Sequence, residues 1–100
     1  MTTNTILLIT GANTGIGYET VKSLLQSSTP YTILLSGRSL EKANTAAEEL
    51  RKEFPETPST IVTLQIDVED DESISKAFQL VEGEYGRIDV LINNAGAFPF

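Results

Sequence analysis

The apolar residues of this chain switch repeatedly between two periods, and that alternation leaves few folds open to it. Thr5-Ile6-Leu7-Leu8-Ile9-Thr10 is a short continuous apolar run, the mark of a strand buried on both faces. Ile16, Val21, Leu24 and Leu25 then recur at helical spacing until Pro30 forbids continuation. Tyr31 to Ser36 reads as a second buried strand, closed by Gly37. Leu40, Ala43, Ala47, Leu50 and Phe54 form one helical stripe, with Glu41, Lys42, Glu48, Arg51 and Lys52 around the other side. Ser39 is placed to cap that helix, and Pro55 and Pro58 follow its end. Thr60 to Ile66 reads as a third, partly alternating strand. Asp71 or Ser73 is expected to cap a helix carrying Ile74, Ala77, Phe78 and Val81, whose end Gly83 and Gly86 punctuate. Ile88 to Ile92 is the fourth strand, leading into Asn93-Asn94-Ala95-Gly96.

Strands and helices alternating with short connections imply parallel strands, right-handed crossovers and helices on both faces. The expectation is an α/β fold, a Rossmann-type doubly wound parallel sheet of about four strands and three helices. Residues 1–100 show no linker or low-complexity stretch and read as one unit. Such a sheet binds ligand beyond the carboxyl ends of its strands, near the point where the strand order reverses.

Composition excludes several chemistries. The net charge of −7, with the basic residues scattered, argues against nucleic acid as a partner, since phosphate neutralisation needs clustered Lys and Arg. No apolar run approaches the roughly 18 residues that span a bilayer, and the N-terminus carries no basic, apolar leader pattern. A cytoplasmic protein with no membrane partner is the expectation. With no Cys and no His there is no thiol nucleophile, no Ser-His couple and no thiolate or imidazole metal ligand. Chemistry is left to hydroxyls, amides, carboxylates, Lys or a bound cofactor.

The segment Thr10-Gly11-Ala12-Asn13-Thr14-Gly15-Ile16-Gly17 leaves the first strand and opens the first helix. That is the placement a dinucleotide site requires. Glycines allow the tight turn, the approach of backbone amides to a pyrophosphate, and close helix–strand packing. The helix N-terminus adds free N–H groups and partial positive charge. A phosphate-binding P-loop is excluded, because Gly17 is followed by Tyr18-Glu19 rather than Lys-Ser/Thr. The same glycines also have a plainer reading, as the shape of a tight strand–helix joint.

Thr10 to Gly17 resembles the T-G-x-x-x-G-x-G cofactor signature of the short-chain dehydrogenase/reductase family. Asn93-Asn94-Ala95-Gly96 resembles its N-N-A-G element, Asp67-Val68 its adenine-contacting acid and neighbour, and Gly86-Arg87-Ile88-Asp89-Val90-Leu91-Ile92 is like many members. The resemblance covers the whole chain. It implies that Gly11, Asn13, Thr14, Gly15, Ile16 and Gly17 hold the pyrophosphate, that Asp67 accepts from the adenine amino group beside the Val68 backbone, and that Asn94, Ala95 and Gly96 line the adenosine ribose. Two plainer roles stay open beside these. Asp67 is equally suited to a turn before a helix, and the Asn93 and Asn94 amides to satisfying backbone groups at a strand end.

NAD sites place an acid at the end of the second strand, about 20 residues beyond the glycine turn. Here Ser36-Gly37-Arg38-Ser39 stands there, with no acid before Glu41. A guanidinium attracts a 2′-phosphate that a carboxylate would repel. NADP(H) is therefore the expected cofactor, with NAD(H) second, and Arg38, helped by Ser36 or Ser39, the expected contact. The alternative is an Arg that points to solvent. Thr14 stands where many NADP-preferring relatives carry Lys or Arg, so only one of two basic contacts is evident.

The resemblance implies carbonyl reduction or alcohol oxidation by hydride transfer. A Tyr acts as general acid/base, and a Lys four residues on lowers its pKa, a free phenol titrating near pH 10. Tyr18 and Lys22 have that spacing but lie on the first helix, whereas the family's pair lies downstream of the N-N-A-G element. No catalytic residue is expected within this chain. It is expected to be the cofactor half of an enzyme, a fragment inactive alone, with an open fourth strand and marginal stability. The rival readings are a non-catalytic NAD(P)-binding module and, less well matched, a methyltransferase-like domain. The small carbonyl or alcohol substrate, and any homo-oligomer, would belong to a full-length form.

Overall fold

The computed structural model describes residues 4–13 and 15–94. Strands β1 (Thr5–Ile9), β2 (Tyr31–Gly37), β3 (Thr60–Gln65) and β4 (Val90–Ile92) alternate with helices α1 (Gly15–Leu25), α2 (Leu40–Glu53) and α3 (Asp71–Tyr85). The strands form one parallel sheet in the order β3-β2-β1-β4, so the order reverses beside β1. This is the doubly wound Rossmann arrangement expected from the two alternating periods.

The alternation of strand side chains divides the core. Ile9, Ile33, Leu35 and Ile61 point to one face, where Val21 and Leu25 of α1 and Ala43, Ala46, Ala47 and Leu50 of α2 cover them. Ile6, Leu8 and Leu34 point to the other, under Ala77 and Val81 of α3. Small alanines let α2 lie close to the sheet. Among the described residues no helix is long and apolar enough to cross a membrane, and β4 pairs on one side only, with Val90 and Leu91 exposed.

The helix ends follow local hydrogen-bonding chemistry, with one correction. Ser39 caps α2 as expected, its hydroxyl accepting from the Lys42 N–H at 3.3 Å. The cap of α3 is Asp70, not Asp71 or Ser73: its backbone is extended and its Oδ1 accepts from the Glu72 N–H at 3.0 Å. In the acidic run from Glu69 to Glu72 several carboxylates compete for the role, and Ser73 is instead engaged with the Asp67 N–H at 2.9 Å. Gly83 lies inside α3, and only Gly86, at φ 75°, ends it. β4 starts at Val90 rather than Ile88, because Asp89 makes a clasp at the base of β1. Asp89 Oδ2 accepts from the Ile6 N–H at 2.8 Å, its own N–H donates to the Ile6 carbonyl at 2.9 Å, and Arg87 spans Asp89 and the Asn4 carbonyl.

Two packing details position the strand ends. Gly17 is buried where α1 crosses the end of β1: a Cβ there would lie 2.5 Å from the Gly11 carbonyl oxygen, 2.7 Å from Asn94 Nδ2 and 2.9 Å from the Ala12 Cα. Two of those neighbours are backbone, so nothing can step aside cheaply. Gly11 and Gly15 have φ of 58° and 61°, a left-handed backbone that other residues adopt at a cost of about 1–2 kcal/mol.

Gly17→Ala is expected to destabilise the chain by about 1–3 kcal/mol through this overpacking, measured as a shift in the urea midpoint at constant slope; an unchanged midpoint would contradict the close approach. Asp89 gives a pH signature. The Ile6 N–H, foremost, and then Arg87 hold its carboxyl below the usual value, against the opposing effect of burial. Its stabilising contribution is therefore present at neutral pH and lost as the pH falls through the acid range below about 4. Asp89→Ala should lower the melting midpoint at pH 7 and flatten its decline on acidification, whereas an acid limb parallel to wild type would count against the clasp.

Candidate functional site

The carboxyl ends of the four strands meet around the turn that follows β1. Thr10 is buried there and joins β1 to β4. Its N–H donates to the Ile92 carbonyl at 3.0 Å, its hydroxyl donates to Asn93 Oδ1 at 3.1 Å, and the same oxygen accepts from the Asn94 N–H at 2.9 Å. On the other side the Ala12 N–H donates to the Ser36 carbonyl at 2.8 Å, while the Ser36 hydroxyl donates to the Ile9 carbonyl at 2.8 Å. The turn is thus stitched to both neighbouring strands. The side-chain amide of Asn94 reaches the Gly11 carbonyl at 3.5 Å, the strand-end role that its residue type suggests.

Beside this turn lies a cavity of about 470 Å³ whose walls bring together Gly11, Asn13, Arg38, Asp67 and Val68, five of the expected site residues, with Ser39, Lys42, Ile66 and Glu69. Its size is within the range of small-ligand pockets. Asn13 sits over the end of β2 because Gly37 has no side chain; a Cβ there would lie 2.7 Å from Asn13 Oδ1. The wall beyond is fixed by cross-strand bonds: the Ile66 N–H donates to the Gly37 carbonyl at 2.9 Å, and Gln65 Nε2 to the Arg38 carbonyl at 3.1 Å. Both readings of Asp67 describe it. One carboxylate oxygen closes a turn by accepting from the Glu69 N–H at 3.0 Å, and the residue also lines the cavity.

The cavity wall carries both signs of charge. Arg38 and Lys42 come from the β2–α2 corner, Asp67 and Glu69 from the segment after β3. Among the described residues neither Arg38 nor Lys42 has an ion-pair partner, whereas Lys22, Lys76 and Arg87 pair with Glu53, Glu72 and Asp89. The first turn of α1 contains no acid, while α2 begins with Glu41 and α3 with Asp71 and Glu72. The opening N–H groups of α1 have no partner within the helix and no carboxylate of the first turn to compete for them. Gly15 has open space around it, and Ile16 is 77% exposed at that helix start.

Tyr18 and Lys22 do not form a proton-transfer pair. The Lys22 ammonium is 3.1 Å from Glu53 Oε2, and the Tyr18 phenol is pushed above its usual value, first by burial and then by Glu49 and Glu53. A catalytic phenol needs the opposite shift. Thr14, Ala95 and Gly96, also expected in the site, lie outside the described residues. Sequence reasoning missed Ile66, Lys42 and Glu69 as cavity residues. Lys42 lies in the first turn of α2, just beyond Arg38, but its place on the polar side of that helix does not by itself distinguish a cavity wall from open solvent.

Comparison with known proteins bears on what this arrangement is. The family model described as short chain dehydrogenase matches residues 5–100. The short-chain dehydrogenase/reductase tropE of Talaromyces stipitatus is 42% identical over 90 residues, covering 90% of this chain and 34% of that protein. Among solved structures, menthone neomenthol reductase from Mentha piperita superposes with a TM-score of 0.84 at 35% identity, covering 95% of this chain and 32% of its own. YwfH, described as an NADPH dependent reductase involved in bacilysin biosynthesis, gives a TM-score of 0.76 at 29% identity, covering 90% and 36%. The chain spans about a third of the length of the relatives it matches. With the glycine turn, the parallel sheet and a family match along nearly its whole length, the chain belongs to the short-chain dehydrogenase family.

Proposed function

We propose that this chain supplies the dinucleotide-binding part of an oxidoreductase that interconverts a small carbonyl compound and its alcohol, and that it takes NADP(H) in preference to NAD(H). One observation carries the reading: the turn that leads into a helix N-terminus free of acids lines a cavity whose β2 corner presents Arg38 where an NAD site would carry a carboxylate. The residues present fit such a group. The backbone from Gly11 to Gly17 would face the pyrophosphate, with Asn13 and Thr14 on the turn and Ile16 at the open helix start. The Asp67 oxygen not used by the turn would accept from the adenine amino group, with the Val68 backbone along the ring. Asn94, Ala95 and Gly96 would adjoin the ribose, and Arg38 with Ser39 would take a 2′-phosphate.

When bound, the nicotinamide ring supplies the hydride chemistry. What these residues contribute is binding and orientation: the turn fixes the phosphates, and the cavity holds the adenosine end. No proton-transfer step is assigned to Tyr18, whose environment favours the neutral phenol. The acid/base residue, the substrate pocket and any self-association are assigned to parts of a longer enzyme. The description of YwfH as NADPH dependent supports the cofactor preference.

Fluorescence titration with NADPH and NADH tests this. A charged contact worth roughly 1.5–3 kcal/mol predicts tighter NADPH binding by about ten- to a hundredfold, with Arg38→Ala bringing the two ligands close to parity. Tighter NADH binding, unmoved by Arg38→Ala, would overturn the preference.

A further inference from the structure

We infer that Arg51 guards the outer margin of β3 against strand addition, and that the partner it excludes is the same strand of a second copy of this chain. The guard acts independently of the cofactor. β3 ends the strand order, so one margin pairs with β2 and the other with no strand among the described residues. The Ile66 N–H donates to the Gly37 carbonyl, which turns the backbone groups of Val62 and Leu64 inward as well. By the alternation of a strand, those of Ile61, Thr63 and Gln65 face outward.

Such a margin is a template for another chain. Thr60-Ile61-Val62-Thr63-Leu64-Gln65 carries no charge, no Pro and no Gly, and its β-branched residues favour extended backbone. Nothing within the strand itself discourages pairing. Exposed Leu40 and Leu80 line a hollow with Thr63, Leu64 and Gln65, so an added strand would cover apolar surface beside the margin. The segment is also self-complementary. Uncharged Thr, Ile, Val and Leu pair with their own kind, and a twofold axis makes the contact between two copies a closed one.

The restraint comes from α2. Arg51 Nη2 donates to the outward Ile61 carbonyl at 2.8 Å, occupying the acceptor that an incoming N–H would need. A charged donor holds that carbonyl more firmly than a neutral one. Asn44 Oδ1 accepts from the Thr63 hydroxyl at 2.6 Å, and Gln65 Nε2 donates to the Arg38 carbonyl, so α2 and the corner before it are fastened along the strand. With Arg51 in place the fully open margin shrinks to Thr63 and Gln65, a span too short for a stable ladder.

The test compares the sedimentation of wild type, Arg51→Met and Lys52→Met over a concentration series, together with hydrogen exchange of the backbone amides. Arg51→Met keeps an unbranched stem and removes the donors; Lys52→Met removes an equal charge from the neighbouring exposed position. Arg51→Met is expected to rise from the monomer mass of 10.9 kDa toward that of a dimer as concentration increases, while Lys52→Met follows wild type. In the associated variant the Thr63 and Gln65 amides should exchange more slowly than in wild type, with Val62 and Leu64 little changed. Thr63→Pro added to Arg51→Met removes an outward donor without touching the β2 ladder, and should return the variant to the wild-type mass. Association through the one-sided β4 would be common to every variant and so does not mimic this pattern. An Arg51→Met chain with the mass of wild type, one that associates with Thr63 and Gln65 unprotected, or one that unfolds without associating would overturn the guard role.

Discussion

At Gly17 the backbone of α1 comes so near the end of β1 that no side chain fits between them, and the geometry of the site follows from that contact. The first turn of the helix is thereby held against the Gly11 carbonyl at the end of β1. Asn94 closes the same contact from the β4 side, and Thr10 ties both asparagines of that strand end to β1. Ser36 secures the β2 side. The strand ends therefore form a floor with a fixed level, and Gly11 and Gly15 supply the left-handed backbone that lets the chain rise from strand to helix. At the opposite end of the sheet, the Asp89 clasp holds β4 in register with β1.

On that floor the chemistry is divided by origin. The β1–α1 turn contributes backbone amides and partial positive charge, the β2–α2 corner contributes full positive charge, and the segment after β3 contributes carboxylates. Each is held by a bond to a neighbouring element, including the Gln65 amide on the Arg38 carbonyl and the Ser73 hydroxyl on the Asp67 N–H. The separation matters because the chain is acidic overall: an anionic ligand would be repelled by the average surface and held only where cations are left unneutralised.

Much of this was legible in the sequence, for identifiable reasons. A buried parallel strand has an apolar run and an amphipathic helix has a stripe, so all seven elements, their order and the Ser39 cap could be read directly. Motif spacing placed Gly11, Asn13, Arg38, Asp67 and Val68, which the fold brings to one cavity. Two kinds of feature escaped. The cap of α3 was misassigned because Asp70, Asp71 and Ser73 are all chemically able to cap, and only backbone conformation decides among them. Lys42 escaped because helical periodicity separates core from solvent but does not distinguish open solvent from a cavity formed with another element. Gly83 misled for a related reason: a glycine ends a helix only where the backbone turns left-handed, as it does at Gly86.

The central claim is that the turn after β1 and the β2–α2 corner together seat one dinucleotide. Amide chemical shifts of the isotopically labelled chain, followed during titration with NADPH, test it most directly. The account predicts saturable shifts at Gly11, Asn13, Gly15, Ile16 and Gly17 and, with the same dissociation constant, at Arg38 to Lys42 and Asp67 to Glu69. Shifts confined to other surfaces, or a glycine turn that does not respond while NADPH binds, would contradict it.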